Sequence, residues 1–396
     1  MAAIATTQAQ FTATVPEPVF ILLYGQKDIT HDVTPYVTAV SFTDKLSGES
    51  DEIQVELEDS DGRWCDAWYP GKGDTLSLKM GYAGEPLLDC GTFSIDEVEL
   101  NGSPDTVSIR GLAASVSTAM RTKSNRGFEN TTLAAIASRI AKKHDLQLVG
   151  QIEQLTIDRV TQYAETDLAF VKRLATEYGY MVKVTHTQLI FSHLLTLRDV
   201  SPVRQLRRTD LSRFSFRDTI NRIYKNAKGK HQNSKTKTLV TVGVQADGDV
   251  GKVREETTSA KRGKNTSADT LQLTFRAHNK DEAEIKTRAA LNLKNQYQKV
   301  ATLSLDGHTT LKAGNNIELL DFGQCSGVWL IASVRHSLDR SSGYATELEV
   351  VRGPVSRPDK KNASKSTQLV VVGQKSDGSM GQVGSTASTK KKGRSS

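Results

Sequence analysis

Apolar residues alternate with polar ones through the first third of the chain, which is the two-residue period of a half-buried β-strand. Turn-forming dipeptides such as Ser47-Gly48 and Asp61-Gly62 separate the alternating stretches. Because this period cannot gather apolar side chains on one face of a helix, residues 19–111 are predicted to form roughly five or six short strands of an antiparallel barrel or sandwich. The predicted core residues are Ile53, Val55, Leu57, Leu76, Leu78, Met80, Phe93, Ile95, Val107 and Ile109.

The pattern then changes to a helical period. Thr132 is placed to cap a helix with apolar residues at i, i+3, i+4, i+7 and i+8, and Thr166 is placed to cap a second helix that ends before Gly179. Two short strands are predicted to follow, at 181–184 and 189–191. This part of the chain is predicted to be a small α+β domain.

Strand patterns return after Arg204, with one helix among them. Asn279 is the predicted cap of that helix, and the polar, basic stretch 226–268 is predicted to be an exposed arm or long loop apart from one apolar run. The apolar face predicted for the helix is Ile285, Ala289, Leu293 and Tyr297. The predicted strands are 214–216, 239–242, 271–275, 301–305, 316–320, 328–335 and 345–351.

These patterns predict a β-rich α+β protein in which two antiparallel β-barrel domains flank a small α+β domain. The predicted divisions are an N-terminal segment (1–17), a first barrel (18–120), the α+β domain (121–203), a second barrel (204–355) with its basic arm (226–268), and a basic C-terminal tail (356–396).

Two stretches 130 positions apart repeat one pattern, an apolar β-branched run followed by Asp-Gly and a second glycine. This pattern is typical of a hairpin, so the tail is predicted to carry a strand-forming unit at 369–383. Such strands tend to pair, either with each other or with copies in neighbouring subunits. The predicted subunit or partner contacts are therefore Leu239, Val240, Val242, Asp247 and Gly248 in the first copy, and Leu369, Val370, Val372, Asp377 and Gly378 in the second.

The formal net charge of +7 is distributed unevenly along the chain. Residues 1–110 carry 19 acidic and 6 basic side chains, residues 204–264 carry 6 acidic and 16 basic ones, and residues 357–396 carry 2 acidic and 9 basic ones. Without interleaved aromatics or a recognisable binding motif, this does not predict sequence-specific nucleic-acid binding. Opposite charges are instead expected to meet across subunit contacts.

The sequence contains no arrangement of residues that predicts catalysis. Serine-hydrolase and zinc-protease motifs are absent, and Cys65, Cys90 and Cys325 are too widely spaced for a metal site or a disulfide framework, so no metal, cofactor or enzyme activity is predicted. No run is long enough for a membrane helix, and no secretion signal is predicted. Two pairs of carboxylates lie two residues apart, which predicts a shared face of an acidic surface: Glu49 with Asp51, and Glu97 with Glu99.

Several short sequence motifs, taken in their order and spacing, resemble those of the phage late control D family, the baseplate hub of contractile tails. The resemblance covers about residues 18–352. The family is itself similar to the amino-terminal half of type VI secretion spike proteins. The motifs include Ile29-Thr-His-Asp-Val-Thr-Pro-Tyr36, Glu58-Asp-Ser-Asp-Gly-Arg-Trp64, Cys90-Gly-Thr-Phe-Ser-Ile-Asp-Glu97, Gln162-Tyr-Ala-Glu-Thr-Asp-Leu-Ala-Phe170 and Gly343-Tyr-Ala-Thr-Glu-Leu-Glu349.

The resemblance implies a structural protein of the virion tail baseplate, assembled in the bacterial host cytoplasm. It implies a homotrimer in which two related, tail-tube-like barrels per chain form a pseudo-sixfold ring, which joins the sixfold tail tube or its initiator to the trimeric spike and leaves a central channel. Other baseplate proteins are further expected partners. The expected lumen-lining residues are Glu49, Asp51, Glu97 and Glu99. The alternatives left open are a tail-associated peptidoglycan hydrolase and a carbohydrate-binding β-protein.

Overall fold

The structure, a computed structural model, describes residues 16–113, 122–233, 238–246, 270–277, 279–357, 369–374 and 380–386. Strands dominate these ranges, which confirms the β-rich class. The helices described are α1 (Thr30–Val33), α2 (Leu133–Lys143), α3 (Asp167–Glu177), α4 (Leu194–Asp199) and α5 (Lys280–Asn295). Short 3-10 turns lie at Arg63–Cys65, Arg208–Asp210 and Gly323–Cys325. No helix of the described ranges is long and apolar enough to cross a membrane.

The first part of the chain is an antiparallel sheet that folds around its own apolar core. All ten core residues predicted from the two-residue period are buried, which confirms that prediction. The strands are β1 (Pro18–Tyr24), β2 (Lys27–Asp28), β3 (Val37–Lys45), β4 (Glu52–Glu58), β5 (Thr75–Tyr82), β6 (Leu88–Asn101) and β7 (Thr106–Leu112).

The next part is the predicted mixture of helices and strands. Thr132 and Thr166 cap α2 and α3, because each hydroxyl accepts a hydrogen bond from a backbone N–H of the first turn at 3.2 Å. The apolar faces of both helices pack on one core. The strands are β8 (Lys123–Thr132), β9 (Gln147–Glu153), β10 (Thr156–Thr166), β11 (Tyr180–Val184) and β12 (Gln188–His193).

The third part contains all seven predicted strands and the predicted helix. Asn279 caps α5 by accepting the N–H of Glu282 at 2.8 Å. The predicted apolar face of α5 is confirmed in part, because Ala289 is buried and Ile285 and Leu293 pack against neighbouring cores. Tyr297 is half exposed, and small and polar residues outside the predicted face, such as Ala283 and Thr287, are also buried. The strands are β13 (Arg204–Leu206), β14 (Arg213–Asp218), β15 (Asn226–Asn233), β16 (Thr238–Gln245), β17 (Thr270–Thr274), β18 (Lys299–Asp306), β19 (Asn316–Leu319), β20 (Gly327–Asp339), β21 (Gly343–Arg352), β22 (Leu369–Gln374) and β23 (Met380–Thr386).

A single 13-stranded sheet runs through the first and third parts, in the order β14-β18-β21-β20-β3-β4-β7-β6-β5-β1-β2, with β13 and β19 attached through β20. Each part keeps a separate apolar core. We call them the first and second β-halves. No pairing among the described strands closes either half into a barrel, so two closed barrels are not confirmed.

The basic stretch at 226–268 is not simply an exposed arm. Within it β15 pairs with β16, and β15 also pairs with β17, which follows the stretch. This three-stranded sheet packs on α5 through Ala227, Val242 and Leu291. The prediction of an arm or long loop is therefore wrong for residues 226–233. Its remaining parts, 234–237 and 247–268, lie outside the described residues.

Candidate interdomain junction and subunit-contact surfaces

The two β-halves meet where β3 pairs antiparallel with β20, from Ala39 opposite Asp339 to Lys45 opposite Ser333. This pairing, called the junction below, makes the sheet continuous from one half to the other. Because backbone hydrogen bonds hold the two edges in one register, the halves are fixed relative to each other rather than hinged.

A buried ion cluster anchors the α+β part to the junction. The ammonium of Lys183 on β11 contacts the carboxylates of Asp44 on β3 and Asp51, the latter at 2.8 Å. Asp44 also accepts the backbone N–H of Ala313, at 2.9 Å, from the second half. Burial alone would lower the pKa of Lys183, but the two carboxylates outweigh it and raise that pKa. One lysine therefore ties all three parts of the chain together.

Lys183 was not singled out from the sequence, although a signal was present. It is the one charged residue of the strand Tyr180–Val184. A lysine inside an apolar strand is either on a solvated face or paired, and only the fold brings its two acidic partners from positions more than a hundred residues away.

A second buried polar group at the junction is His336 on β20, which is fully buried and stacks on Phe42 of β3 with ring centroids 6.1 Å apart. Its Nε2 lies 3.1 Å from the carbonyl oxygen of Leu311, so Nε2 carries the proton and Nδ1 accepts from the Tyr344 hydroxyl at 3.0 Å. Burial lowers the pKa of His336 from 6.5 to about 4. The imidazole is thus neutral at neutral pH.

His336 is expected to make the chain sensitive to acid. Since its folded pKa lies below its unfolded pKa, its contribution is complete above pH 6.5, declines as the pH falls, and is lost below about 4. The loss in unfolding free energy is about 3 kcal/mol. Urea unfolding at several pH values should show it, and His336→Gln should be less pH-dependent over this window by the same amount. Equal pH dependence in the two proteins would contradict this role.

The α+β part is organised around a different buried carboxylate, Asp167, at the start of α3. Arg126, Lys143 at 2.7 Å, His144 at 2.9 Å and Gln162 at 2.8 Å surround it. Burial disfavours its charged form, but the hydrogen bonds from these four side chains outweigh burial and hold the pKa of Asp167 well below its usual range. The Asp167 carboxylate thus connects α2, α3, β8 and β10 to one another.

The repeated segments do not pair with each other. The first copy lies in β16, beside β15, whereas the second lies in β22, which pairs with β9 of the α+β part and forms the predicted hairpin with β23. The residues on these strands are Leu239, Val240 and Val242 in β16, and Leu369, Val370 and Val372 in β22. Asp247, Gly248, Asp377 and Gly378 lie outside the described residues.

The two carboxylate pairs lie in different settings. Glu97 and Glu99 share the exposed face of β6, as predicted. Glu49 and Asp51 do not share a strand, because the connection between β3 and β4 is a turn in which Gly48 has a φ of +105°. Glu49 is exposed, while Asp51 is buried against Lys183 and cannot line a lumen, so that prediction is corrected.

The described ranges contain few clusters of side chains that would mark an active site. A cavity of about 400 Å³ in the first half is lined mainly by apolar and aromatic side chains, and Asp32 is the one carboxylate in its lining. No three metal-binding side chains come together in the part of the chain that the structure describes. This cavity therefore lacks the pair of carboxylates that a glycosidic hydrolase uses.

The fold resembles those of a tail protein and of a chain of a VgrG complex. "The tail protein from Neisseria meningitidis MC58" matches with a TM-score of 0.62 and 12% identity, over 85% of this chain and 97% of that one. A chain of the Francisella PdpA-VgrG complex matches with a TM-score of 0.50 and 8% identity, over 87% of this chain and 60% of that one. At these identities the likeness concerns the fold alone.

The amino-acid sequence shows the family to which the chain belongs. The family model of the phage tail baseplate hub (GPD) matches residues 95–342, so the chain belongs to that family and is a component of the phage tail baseplate. The "Probable baseplate hub protein" of Escherichia phage 186 is 30% identical over 176 residues, which are 44% of this chain and 44% of that protein. The match thus spans less than half the length of that relative. The resemblance to late control D proteins is confirmed.

Proposed function

We propose that three copies of this chain form a pseudo-sixfold ring that joins the sixfold tail tube to the trimeric spike. The observation that carries the proposal is the junction, where β3 and β20 join two β-halves with separate cores into one continuous sheet. Because each of three chains has two such halves, the trimer presents six similar positions to the sixfold tube. It presents three equivalent chains to the threefold spike. The role is structural and requires no catalysis.

The ring would leave a central channel lined by one face of the continuous sheet. The exposed face of β4, β7 and β6 is rich in carboxylates, among them Glu56, Glu97 and Glu99, with Arg110 as its basic residue. Like charge on a channel wall keeps a passing polyanion or acidic protein from sticking. Glu49 is a further candidate, whereas Asp51 is excluded by its burial.

The mass of the full chain in solution tests the proposal. Sedimentation equilibrium, alone and with the spike protein of the same phage, should give a particle of about three times the 43.3 kDa chain mass, or three chains for each spike trimer. A chain that stays monomeric and ignores the spike would overturn both the ring and the adaptor role.

The repeated segments are the proposed contacts with the spike or with neighbouring copies. Deleting residues 358–396 removes β22 and β23 but keeps Ser356, which is buried and bonded to Asn292 at 2.6 Å. We expect this deletion to weaken association with the spike or between copies at least about tenfold, since a two-stranded edge is lost. Deleting only 387–396 is the matched control and should leave association unchanged. Equal association of both truncated proteins would contradict a role for the strands.

A further inference from the structure

We propose that the edge of β14 in one copy pairs antiparallel with the open end of β6 in the next copy, with residue 213 opposite 101 and residue 218 opposite 96. This inference rests on the proposed function, because it assigns the contact between neighbours in the ring. The occupant of each edge is therefore a second copy of this chain.

Both segments are open edges of the large sheet. Among the described strands, β14 pairs with β18 on one side and with nothing on the other. Residues 88–94 of β6 pair with β5, and Ile95 is bonded to the backbone of Gly73 and Asp74. After the irregularity at Asp96, residues 97–101 pair among the described strands with β7. The open edges are six residues long in β14 and five in β6. An uncovered edge of this length is a template for another strand.

The peptide groups that face outward on β14 follow from its ladder with β18. Thr219 N–H donates to the Gln298 carbonyl at 2.9 Å, in the register of that ladder. Hydrogen-bonded positions recur at every second residue, so the odd-numbered residues of β14 bond to β18. Phe214 and Phe216 therefore direct their N–H and C=O groups to the open side.

The same argument applies to β6. Asp59 N–H donates to the Asp105 carbonyl at 2.9 Å, in the register of β4 with β7, so the odd-numbered residues of β7 bond to β4 and the even-numbered ones to β6. Their partners on β6 are its odd-numbered residues. Val98 and Leu100 therefore direct their peptide groups to the open side of β6.

In the proposed register these outward groups meet, with Phe214 opposite Leu100 and Phe216 opposite Val98. The two phenylalanines pack at the border of the second core, and Val98 borders the first. Leu100 is 45% exposed in the single chain, and Phe214 of the neighbour would cover it. Aromatic and aliphatic side chains are favourable cross-strand partners.

Charges match on the other face. Arg217 lies opposite Glu97, and Arg213 lies diagonal to Glu99. Within the described residues neither arginine makes an ion pair, and Glu97 has only Arg110 at 3.5 Å. Opposite charges on facing strands stabilise pairing, and like charges oppose it. This register gives both arginines a carboxylate and also pairs all five residues of the open β6 segment, 97–101, with residues 213–217.

One like-charged pair remains at the end of this register, where Asp218 faces Asp96. Asp218 is already held by Lys299 at 3.2 Å. The pair therefore opposes the contact less than two free carboxylates would.

Strand direction fits a ring. Eight strands run from β14 to β6 through the junction, each antiparallel to the next. The first and the last of the eight therefore point in opposite directions. A rotation about an axis along the strands preserves direction, so β14 of the next copy meets β6 antiparallel. Neighbouring chains would then be joined by the same antiparallel strand pairing that joins the two β-halves of one chain at the junction.

Exchange of the charges tests the contact. In sedimentation of the full chain, Arg213→Glu with Arg217→Glu, or Glu97→Arg with Glu99→Arg, should each weaken self-association at least tenfold, and combining all four should restore it to within about threefold of wild type. Lys142→Glu with Arg159→Glu, on the α+β part, is the control with the same change of charge as the arginine variant and should associate normally. Normal association of either interface variant, or no recovery in the combination, overturns the inference.

A disulfide tests the register. In the proposed pairing Ser215 faces Glu99 at a non-hydrogen-bonded position, where Cα atoms lie about 4.5 Å apart, which suits a disulfide. With Cys65→Ser to remove an exposed thiol, Ser215→Cys and Glu99→Cys in one chain should give oxidised trimers on a non-reducing gel. Ser215→Cys with Asn101→Cys, two positions away, should not. Equal crosslinking of both pairs overturns the register.

The two proposals fail in different ways. A wild-type trimer that neither test disturbs refutes this contact and leaves the ring intact. A wild-type chain that is monomeric with and without the spike refutes the ring, and this contact with it.

Discussion

Replacing Lys183 by methionine is expected to lower the unfolding free energy by about 3–5 kcal/mol. The substitution removes the ammonium that lies between Asp44 and Asp51, whose side chains are each only 6% exposed. Both carboxylates would then stand close together in a poorly hydrated site without a cation. Urea unfolding followed by circular dichroism measures the loss.

Two variants show whether the loss comes from the uncompensated charge. Lys142→Met removes the same group from the exposed side of α2 and should change stability by less than about 0.5 kcal/mol. Adding Asp44→Asn and Asp51→Asn to Lys183→Met should recover most of the loss, since no buried charge remains unpaired. A Lys183→Met protein as stable as wild type would show that the ion cluster does not hold the parts together.

Replacing Asp167 by alanine is expected to have a comparable effect, about 3–5 kcal/mol. The side chain is fully buried, and its loss leaves Arg126 and Lys143 beside each other without an anion, with the buried ring of His144 losing its partner. The start of α3 also loses the contact that fixes it to β10 through Gln162.

The matched control for Asp167 is Glu129→Ala on β8. Glu129 is 62% exposed and lies 3.5 Å from Arg159, so its removal should cost less than about 1 kcal/mol. Thermal unfolding and amide hydrogen exchange of α2 and α3 distinguish the two variants. If both lost the same small amount of stability, the four-partner cluster around Asp167 would be no more than a surface network.

Local structure was predictable from the sequence because it depends on local periods and caps. Strand positions such as Ile53 and Val55, and the caps Thr132 and Thr166, needed only neighbours a few residues away. The buried face of α5 was predicted only in part. Ala289 is buried as expected, but the apolar period also pointed to Tyr297, whereas the three-stranded sheet packs on Ala283 and Leu291.

Pairings between distant segments were not predictable. The repeated segments were expected to pair either with each other or with copies in neighbouring subunits. Within the chain β22 instead adds to β9, and nothing in the sequence specifies a partner over 200 residues away. Glu49 and Asp51 were mistaken for strand neighbours because the turn predicted at Ser47-Gly48 is longer than a dipeptide, and β4 begins only at Glu52. Lys183 and the junction were missed for the same reason. The role of Lys183 depends on which strands come together in the fold, and the sequence does not show this.

The junction also sets the order of events during synthesis. Its two strands, β3 and β20, lie about 300 residues apart, so at about 5–20 residues per second β3 emerges roughly 15–60 s before its partner exists. Throughout translation, the nascent first half presents a nine-residue strand whose β20 side is unpaired. Such an edge is a template for strands of other nascent chains, so yield in a crowded cytoplasm should depend on how quickly ribosomes finish this one polypeptide.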